Sequence, residues 1–253
     1  MNICVLSSGS KGNCTYVETN THKFLIDIGT NCLYVEKSLA KIGVNAEDID
    51  SIFITHSHVD HIAGLRVFSK KYKPNIYLTE KIYNEIKLNL ENVNLFETDF
   101  SIDDLNIMVI NTSHDVSSVG YVFEQDNKSI VYITDTGYIK EKYFKKLNNR
   151  NFYVFESNHD VEMLMKNTKY PHHIKIRILS DRGHLSNKDS AYCLSNFVGD
   201  NTKYVVLAHL SEENNNPELA LSTLKKELHK RNKNFDKIII AKQNEQTEMF
   251  QIW

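Results

Sequence analysis

Short apolar runs recur along the whole chain and indicate its secondary structure. They cover residues 3–6, 24–28, 52–54, 107–110, 130–133, 152–155, 204–208 and 238–241. The runs are rich in Ile, Val, Phe and Tyr, a composition that is typical of buried β-strands. The pattern therefore predicts a protein with many short strands.

Helical periodicity lies between several of these runs. It predicts helices over 33–42, 62–71, 79–90, 188–197 and 217–228. Ser186 and Asn216 are suitable N-caps for the last two, and a proline follows Asn216 at the first helical position. Segment 93–134 instead predicts consecutive strands with tight connections such as Asp126-Asn127. This mixture predicts an α/β (α+β) protein whose two sheets carry helices outside.

Composition is that of an ordinary globular protein. The 253 residues are 41% hydrophobic and 25% charged, and the net charge of −2 gives no global field that attracts nucleic acid or anionic lipid. No stretch approaches the roughly 18 apolar residues of a membrane span. Since there is no repeat and no Pro/Gly-rich linker, we expect a single domain over 1–253.

The cysteines exclude two kinds of site. Cys4, Cys14, Cys32 and Cys193 form no CxxC pair, so neither a thiolate zinc site nor a thioredoxin motif is indicated. The first residues lack the long apolar core of a secretory signal. Reduced cysteines in the cytosol are the default for such a chain, so we expect a cytoplasmic protein without a membrane partner.

Side chains that commonly bind metals lie in or just after six of the apolar runs. They are Asp27, the cluster at 56–61, His114, Asp135, Glu156 and His209. Rigid strands aim the loops that follow them toward a common cleft. We therefore expect these side chains to gather at one site.

The strongest local signal is HSHVDH at residues 56–61. Neutral imidazole and carboxylate are good ligands for divalent transition metals. His56 and His58 can face one ion while Asp60 and His61 turn to another. The pattern arises by chance in roughly one chain in a thousand, so a solvated loop with incidental histidines is the weaker interpretation.

The segment SIFITHSHVDHIAGL resembles the signature of the metallo-β-lactamase superfamily. The other superfamily motifs stand in the right order, as LIDIG at Asp27, NTSHD at His114, YITDTG at Asp135 and LAHLS at His209. The resemblance covers nearly the whole chain. It implies a four-layer αββα metallo-β-lactamase sandwich with a two-metal site along one edge.

The resemblance also implies a role for each of these residues. The ligands of the first ion are His56, His58 and His114, and those of the second are Asp60, His61 and His209. Asp135 bridges the ions, Asp27 orients a ligand by a hydrogen bond, and Asp60 also takes part in catalysis. The implied cofactors are two divalent metal ions, zinc or alternatively manganese. Such a pair suits the hydrolysis of phosphodiesters, because it can hold both the attacking and the leaving oxygen.

Some of these positions are weaker signals when taken singly. A lone histidine after a strand, such as His114 or His209, is more often structural than a ligand. Asp135 ahead of Gly137 also fits a simple turn. The tight cluster and the order of the motifs favour ligation. Zinc β-lactamases place a cysteine or another ligand at the position of Asp135, so the sequence argues against a β-lactam substrate.

A second set of motifs resembles the RNase Z family of tRNA-processing enzymes. Glu156 in FESNHD and His184 in RGHLSN follow the order of that family. The resemblance implies that His184 is the general acid that protonates the leaving oxygen and that Glu156 is its partner. A neighbouring carboxylate favours the charged imidazolium, which can donate a proton near neutral pH. The alternative is a structural position beside the helix N-cap Ser186.

The longest blocks resemble the YycJ (WalJ) family of bacterial hydrolases. They are SSGSKGNC, ESNHD followed by YP, GHLSN, and LAHLSEENNNPELA. This family is described as exonucleases that degrade double-stranded DNA from the 5′ end in DNA repair, so the resemblance implies a DNA partner. Alternatives on the same fold are a small-molecule cyclic phosphodiesterase and an RNA-processing nuclease. A non-catalytic metal-binding module is a further alternative, against which the complete ligand set argues.

Two short segments offer candidate substrate-binding residues. Asn158 and His159 follow the strand at 152–155, and His159 either contacts substrate or pairs with Asp160 at a helix start. Loop 7–13 lacks the GxxxxGK pattern of a P-loop. It forms either a β-hairpin turn or a phosphate cradle in which Lys11 contacts the anion.

Positive charge is concentrated in residues 163–188. Six Lys or Arg residues oppose a single acid there, so the segment carries about +5 in a chain of −2. One interpretation is a solvated surface loop. The other is a track that binds the nucleic-acid backbone beside His184, with Lys175, Arg177 and Arg182 as the phosphate contacts.

Overall fold

The structure is a computed structural model that describes residues 1–252, and the chain divides into two units. The first unit comprises residues 1–108, 116–118 and 241 onward, and the second comprises 109–115 and 119–240. The expected single domain over 1–253 stays a prediction.

The first sheet contains seven strands in the order β14-β1-β2-β3-β4-β5-β6. The strands are β1 (Asn2–Ser7), β2 (Cys14–Glu18), β3 (Lys23–Ile26), β4 (Ser51–Phe53), β5 (Asn75–Thr79), β6 (Val93–Phe96) and β14 (Phe250–Gln251). Strands β1 to β3 are antiparallel and β3 to β6 are parallel. The parallel strands β3 and β4 therefore end at the same edge of the sheet.

Four α-helices lie among the described residues of the first unit. They are α1 (Cys32–Lys41), α2 (Val59–Ile62), α3 (Leu65–Tyr72) and α4 (Glu80–Ile86). The predicted helix at 79–90 is too long, because Lys87 adopts a left-handed conformation with φ of 52° that ends α4. The predicted helix at 62–71 starts too early, since a break at Gly64 separates α2 from α3.

The second sheet has the order β13-β12-β11-β10-β9-β8-β7. Its strands are β7 (Phe100–Ile102), β8 (Leu105–Asn111), β9 (Val119–Gln125), β10 (Lys128–Ile133), β11 (Phe152–Glu156), β12 (Tyr204–Ala208) and β13 (Ile238–Ile240). Strands β10 to β13 are parallel, with Ile133 opposite Phe155 and Phe155 opposite Leu207. The loops after β10, β11 and β12 therefore leave the sheet at one edge, side by side.

Five helices belong to the second unit. They are α5 (Phe144–Leu147), α6 (Val161–Lys166), α7 (His172–Leu179), α8 (Asn187–Phe197) and α9 (Pro217–Lys230). The N-caps predicted at Ser186 and Asn216 are confirmed, because their side chains accept hydrogen bonds from the Asp189 and Glu218 amides. No helix of residues 1–252 is long and apolar enough to cross a lipid bilayer.

The turn predicted at Asp126-Asn127 is confirmed. Both residues have positive φ, at 52° and 61°, and Gln125 pairs with Lys128 across the turn. Two consecutive left-handed residues form the mirror-image turn that matches the twist of a β-hairpin. The core of both sheets consists largely of the predicted apolar runs, whose Ile, Val, Phe and Tyr side chains are buried. The exceptions are Tyr204 and Ile238–Ile240, which are half-buried.

Candidate functional site

Asp27 stands at the end of β3 in the first unit. It adopts a left-handed backbone with φ of 58°, a conformation that costs a non-glycine residue of order 1 kcal/mol or more. Its buried carboxylate accepts hydrogen bonds of 2.8 Å from both the amide and the hydroxyl of Thr55. These bonds hold the start of the loop that carries residues 56–61.

The same carboxylate fixes His61. The Asp27 Oδ2 atom lies 2.7 Å from His61 Nδ1, and neither side chain is exposed. Burial raises the pKa of Asp27, although His61 and Thr55 oppose the shift. Since Nδ1–H donates to the carboxylate, the other ring nitrogen of His61 is the one that can bind a metal.

The predicted ligands of the 56–61 motif lie together in the first unit. The His56 ring is 3.9 Å from the His61 ring and 4.8 Å from the His58 ring, centroid to centroid. Asp60 Oδ2 lies 3.8 Å from His61 Nε2. Helix α2 starts immediately after His58, and this tight turn brings the four side chains together.

Asn13 also contacts this motif, and no sequence pattern predicted it. Its amide N–H donates to the Asp60 carbonyl at 2.8 Å, and its side-chain nitrogen lies 2.9 Å from His61 Nε2. The loop at 7–13 therefore supports the motif through Asn13. Lys11 is exposed, and its backbone N–H donates to Gln243.

A close backbone contact explains why position 29, the last residue of the LIDIG motif, is a glycine. A Cβ atom at this position would lie 1.6 Å from the Asp60 carbonyl oxygen. Only glycine permits the backbone after β3 to approach the 56–61 motif so closely. A glycine at position 29 is thus a steric requirement of this chain.

Glu85 is a second residue that sequence reasoning missed. The Ser57 hydroxyl donates to Glu85 Oε2 at 2.8 Å, and the Ser117 amide donates to Oε1 at 3.2 Å. Helix α4 therefore ties two loops of the first unit together, one of which contains His56 and His58. A lone glutamate on an exposed helix gives no signal of this kind in the sequence.

The second unit brings another group of candidate ligands to one sheet edge. Asp135 follows β10 and His209 follows β12, and both have a left-handed backbone with φ of 55° and 56°. Asp135 Oδ1 lies 3.4 Å from His209 Nδ1 and 3.5 Å from His184 Nδ1. The parallel register of these strands therefore produces the cluster that the sequence predicted.

Glu156, the last residue of β11, is the centre of this group. Its Oε1 atom lies 2.7 Å from His184 Nδ1 and 3.1 Å from His209 Nδ1. Its Oε2 atom accepts hydrogen bonds from the Thr136 and Leu185 amides. Burial acts to raise the pKa of Glu156, but the His184 charge and these histidine hydrogen bonds outweigh it and hold the pKa at about 2.

This geometry shows which ring nitrogen of each of the two histidines contacts Glu156. His184 and His209 both direct Nδ1 at Glu156, so each leaves Nε2 for a ligand. One ligand atom from each of Asp135, Glu156, His184 and His209 lies within 4.8 Å of the others, close enough to hold a metal ion. Because both Glu156 oxygens already accept hydrogen bonds, Glu156 is better placed to position the histidines than to bind metal.

His114 lies in the loop after β8. Its Nδ1 atom lies 3.2 Å from the Gly183 carbonyl oxygen and its Nε2 atom 3.3 Å from the Asp115 carboxylate. Burial lowers the pKa of His114, which favours the neutral imidazole that metals require. Its ring lies 5.2 Å from the His184 ring, so it borders the same group.

Asn158 and His159 differ in their surroundings. The Asn158 side chain donates to the His209 carbonyl at 3.0 Å and so supports that loop. His159 is buried, neither ring nitrogen has a hydrogen-bond partner within residues 1–252, and burial lowers its pKa to about 4. The alternative of a His159–Asp160 pair is wrong, because the Asp160 carboxylate instead caps α6.

Three of the six cations in the basic segment 163–188 form ion pairs. Lys166 pairs with Glu162, Lys169 with Glu213, and Arg177 with Asp115. Lys175 Nζ donates to the Met165 carbonyl, and the Arg182 guanidinium donates to the carbonyls of His114 and Asp115. Arg182 is thus a support of the His114 loop, and its removal would disturb a candidate metal ligand.

Comparison with known proteins places these clusters in a family context. The Metallo-beta-lactamase superfamily matches residues 8–209 of the chain. The exodeoxyribonuclease YycJ of Bacillus anthracis is 39% identical over 231 residues, which cover 87% of this chain and 86% of that protein. The ribonuclease Z of Methanopyrus kandleri is 28% identical over 120 residues, or 43% of this chain and 42% of its own length.

A solved structure covers almost the whole chain. The metallo-beta-lactamase fold protein YhfI from Bacillus subtilis aligns with a TM-score of 0.71 over 98% of this chain and 99% of its own, at 16% identity. This likeness shows the fold alone. The fold class predicted from the sequence, the αββα metallo-β-lactamase sandwich, is thereby confirmed.

Proposed function

The chain belongs to the metallo-beta-lactamase superfamily and, within it, to the YycJ family, and from this membership we propose that it is an exonuclease that degrades double-stranded DNA from the 5′ end in DNA repair. Membership of this family supports the general reaction class, which is metal-dependent hydrolysis of phosphodiester bonds. The observation that carries the proposal is the 2.7 Å contact between the buried Glu156 and His184, because it sets a proton donor beside candidate metal ligands.

Two divalent ions, zinc or manganese, are the proposed cofactors. The proposed ligands are His56, His58 and His114 for one ion, Asp60, His61 and His209 for the other, and Asp135 as the bridge. Imidazole and carboxylate donors, several of them buried, fit such ions well. When bound, these ions supply Lewis-acid activation of water and of the phosphate.

Hydrogen bonds that carboxylates accept from the histidine rings set the orientation of the proposed ligands. Asp27 holds His61 through Nδ1, and Glu156 holds His209 through Nδ1. Each ring then keeps its orientation when an ion arrives, although at His61 the ion must displace the Asn13 side-chain nitrogen from Nε2. Pre-oriented ligands raise metal affinity, because no conformational freedom is lost on binding.

His184 is the proposed general acid. Its Nδ1–H donates to Glu156, so the proton on Nε2 of the imidazolium faces away from that carboxylate, toward the leaving oxygen of the substrate. Glu156 remains ionised at neutral pH, because its pKa is about 2, and its carboxylate holds the orientation of the His184 ring. Asp60 has the second proposed catalytic role, through its carboxylate beside His61.

A cytoplasmic location is part of the same proposal. All four cysteines are buried free thiols among the described residues. Reduced thiols fit the interior of a cell better than an oxidising compartment. DNA repair substrates are found in that compartment as well.

A substrate panel tests the proposed function. It compares duplex DNA labelled at either end, single-stranded DNA, RNA and cyclic nucleotides, each with Zn²⁺ and with Mn²⁺. We expect a 5′-labelled duplex to release labelled mononucleotide at once, while a 3′-labelled duplex shortens stepwise.

The same panel separates the alternatives. A preference for RNA would indicate an RNA-processing nuclease, and one for cyclic nucleotides would indicate a small-molecule phosphodiesterase. The Asp135→Ala variant is the control for contaminating nucleases, since it removes the proposed bridging ligand. Equal cleavage by this variant and the wild type would contradict the proposal.

A further inference from the structure

A groove of about 450 Å³ lies in the first unit between α3 and the C-terminal end of α4. Its charged lining residues are Arg66, Lys70, Lys87 and Glu91, and Asn89 adds an amide. Three cations thus face one carboxylate. The groove carries a local excess of positive charge in a chain whose net charge is −2.

The three cations of this groove, Arg66, Lys70 and Lys87, form no ion pair within the described residues. The neighbouring Lys71 differs, since its Nζ lies 2.9 Å from Glu36. Unpaired like charges in one groove repel each other, and a bound anion removes that repulsion.

The two helices set the positions from which the three cationic side chains extend. Arg66 and Lys70 are one helical turn apart on α3 and therefore lie on the same face. Lys87 is the left-handed C-cap of α4, so its position is set by the end of that helix. Three neighbouring cations suit a ligand that carries several negative charges.

Both walls of the groove are attached to the 56–61 motif. Arg66 follows His61 by five residues, which span at most about 18 Å. Glu85, two residues before Lys87, holds Ser57 at 2.8 Å. At 3.4 Å of rise per nucleotide, the groove lies within roughly five nucleotide steps of this motif.

We propose that this groove binds the phosphodiester backbone of the nucleic-acid substrate a few nucleotides from the cleaved bond. The inference rests on the proposed function, because it assigns a second contact to the same substrate. The segment 163–188, expected to supply such contacts, has three of its six cations in ion pairs, and Lys175 and Arg182 donate to backbone carbonyls instead. The groove is therefore the better source of phosphate contacts.

The test compares two variants with equal loss of charge. The first combines Arg66→Gln, Lys70→Gln and Lys87→Gln. The control combines Lys37→Gln, Lys41→Gln and Lys203→Gln, which are also exposed and unpaired within the described part of the chain. Binding of a cleavage-resistant phosphorothioate duplex of 20 base pairs is measured by fluorescence anisotropy over a series of salt concentrations.

We expect the groove variant to bind the duplex more weakly than the control and to show a flatter dependence of log K on log salt. Each lost phosphate contact lowers that slope by about 0.9, so the change lies between about 0.9 and 2.7. Hydrolysis of bis(p-nitrophenyl) phosphate, which is too short to reach the groove, reports that the fold and the 56–61 motif are intact.

Equal slopes for the groove variant and the control would overturn the inference, as would a wild type that does not bind the duplex. A wild type that hydrolyses no phosphodiester at all would instead contradict the proposed function. The binding slopes would still decide whether the groove holds a nucleic-acid backbone. Displacement of the duplex by polyglutamate at equal charge would assign the groove to an acidic protein and so also overturn the inference.

Discussion

Three residues of the candidate site share an unusual backbone conformation. Asp27, Asp135 and His209 each follow a strand and have φ between 55° and 58°. Non-glycine residues in this region cost of order 1–3 kcal/mol each, and such strain persists where the surrounding structure enforces it. The sequence predicted which residues these are but not their backbone, because no local pattern reports a positive φ at an aspartate or a histidine.

Replacing His184 tests whether this residue is the general acid. We expect His184→Ala to lower kcat by roughly 10²–10⁴-fold on DNA, because the leaving oxygen then departs unprotonated. Metal content should not change, since His184 is not a proposed ligand. A substrate with a good leaving group, such as bis(p-nitrophenyl) phosphate, should recover much of the rate. Full activity of the variant on DNA would remove His184 from the mechanism.

Asp27 is expected to control metal affinity through His61. In Asp27→Ala the Nδ1–H of His61 and two donors of Thr55 lose their acceptor. We expect the variant to bind zinc roughly 10–100-fold more weakly, as measured by competition with a fluorescent chelator. The zinc affinity of Asp27→Asn, which retains an acceptor oxygen, should lie between that of the wild type and that of Asp27→Ala. Unchanged zinc affinity in Asp27→Ala would show that His61 does not depend on this carboxylate.

At the scale of elements, the apolar runs predicted the strands well because burial and strand propensity coincide in them. The run at 204–208 matches β12, and 152–155 lies within β11. Strands β2, β5 and β14 were missed, because polar residues leave uninterrupted apolar runs of at most three residues in them. Helix α7 was also missed, because it has no buried residue and so no apolar periodicity.

The N-cap of α9 gives a prediction about stability. The Asn216 side chain accepts a hydrogen bond of 2.8 Å from the Glu218 amide, next to Pro217 at the first helical position. We expect Asn216→Ala to lower the free energy of unfolding by about 1 kcal/mol, seen as a lower urea midpoint with the same m value. Asn216→Asp should retain the cap. A change in metal affinity would contradict a purely helical role.

At the scale of the whole molecule, the distribution of charge could not be predicted from the sequence. Residues 163–188 are basic in sequence, but their partners Glu213 and Asp115 come from elsewhere in the chain. The unpaired cations at Arg66, Lys70 and Lys87 are instead spread over two helices. Only tertiary structure shows which charges are compensated, because ion pairs join residues that are distant in sequence.

The buried charge of Glu156 predicts how stability depends on pH. Its folded pKa of about 2 is below the ordinary value of 4.5, so the stabilisation is complete above pH 4.5 and is lost as the pH falls toward 2. Urea unfolding of the metal-free protein and of Glu156→Gln is measured from pH 7 to pH 3. The difference between their free energies of unfolding should become smaller below pH 4.5. A difference that stays constant over this range would contradict the assigned pKa.

The most direct test of the account is a metal titration of the chelated enzyme that follows bound metal and duplex DNA hydrolysis together. With two ions per chain, activity should rise to its maximum at two equivalents of Zn²⁺ or Mn²⁺. His58→Ala and Asp135→Ala should stay folded, by circular dichroism, and remain inactive at every ratio. Full activity at one equivalent, or hydrolysis by the metal-free enzyme, would contradict a two-metal phosphodiesterase.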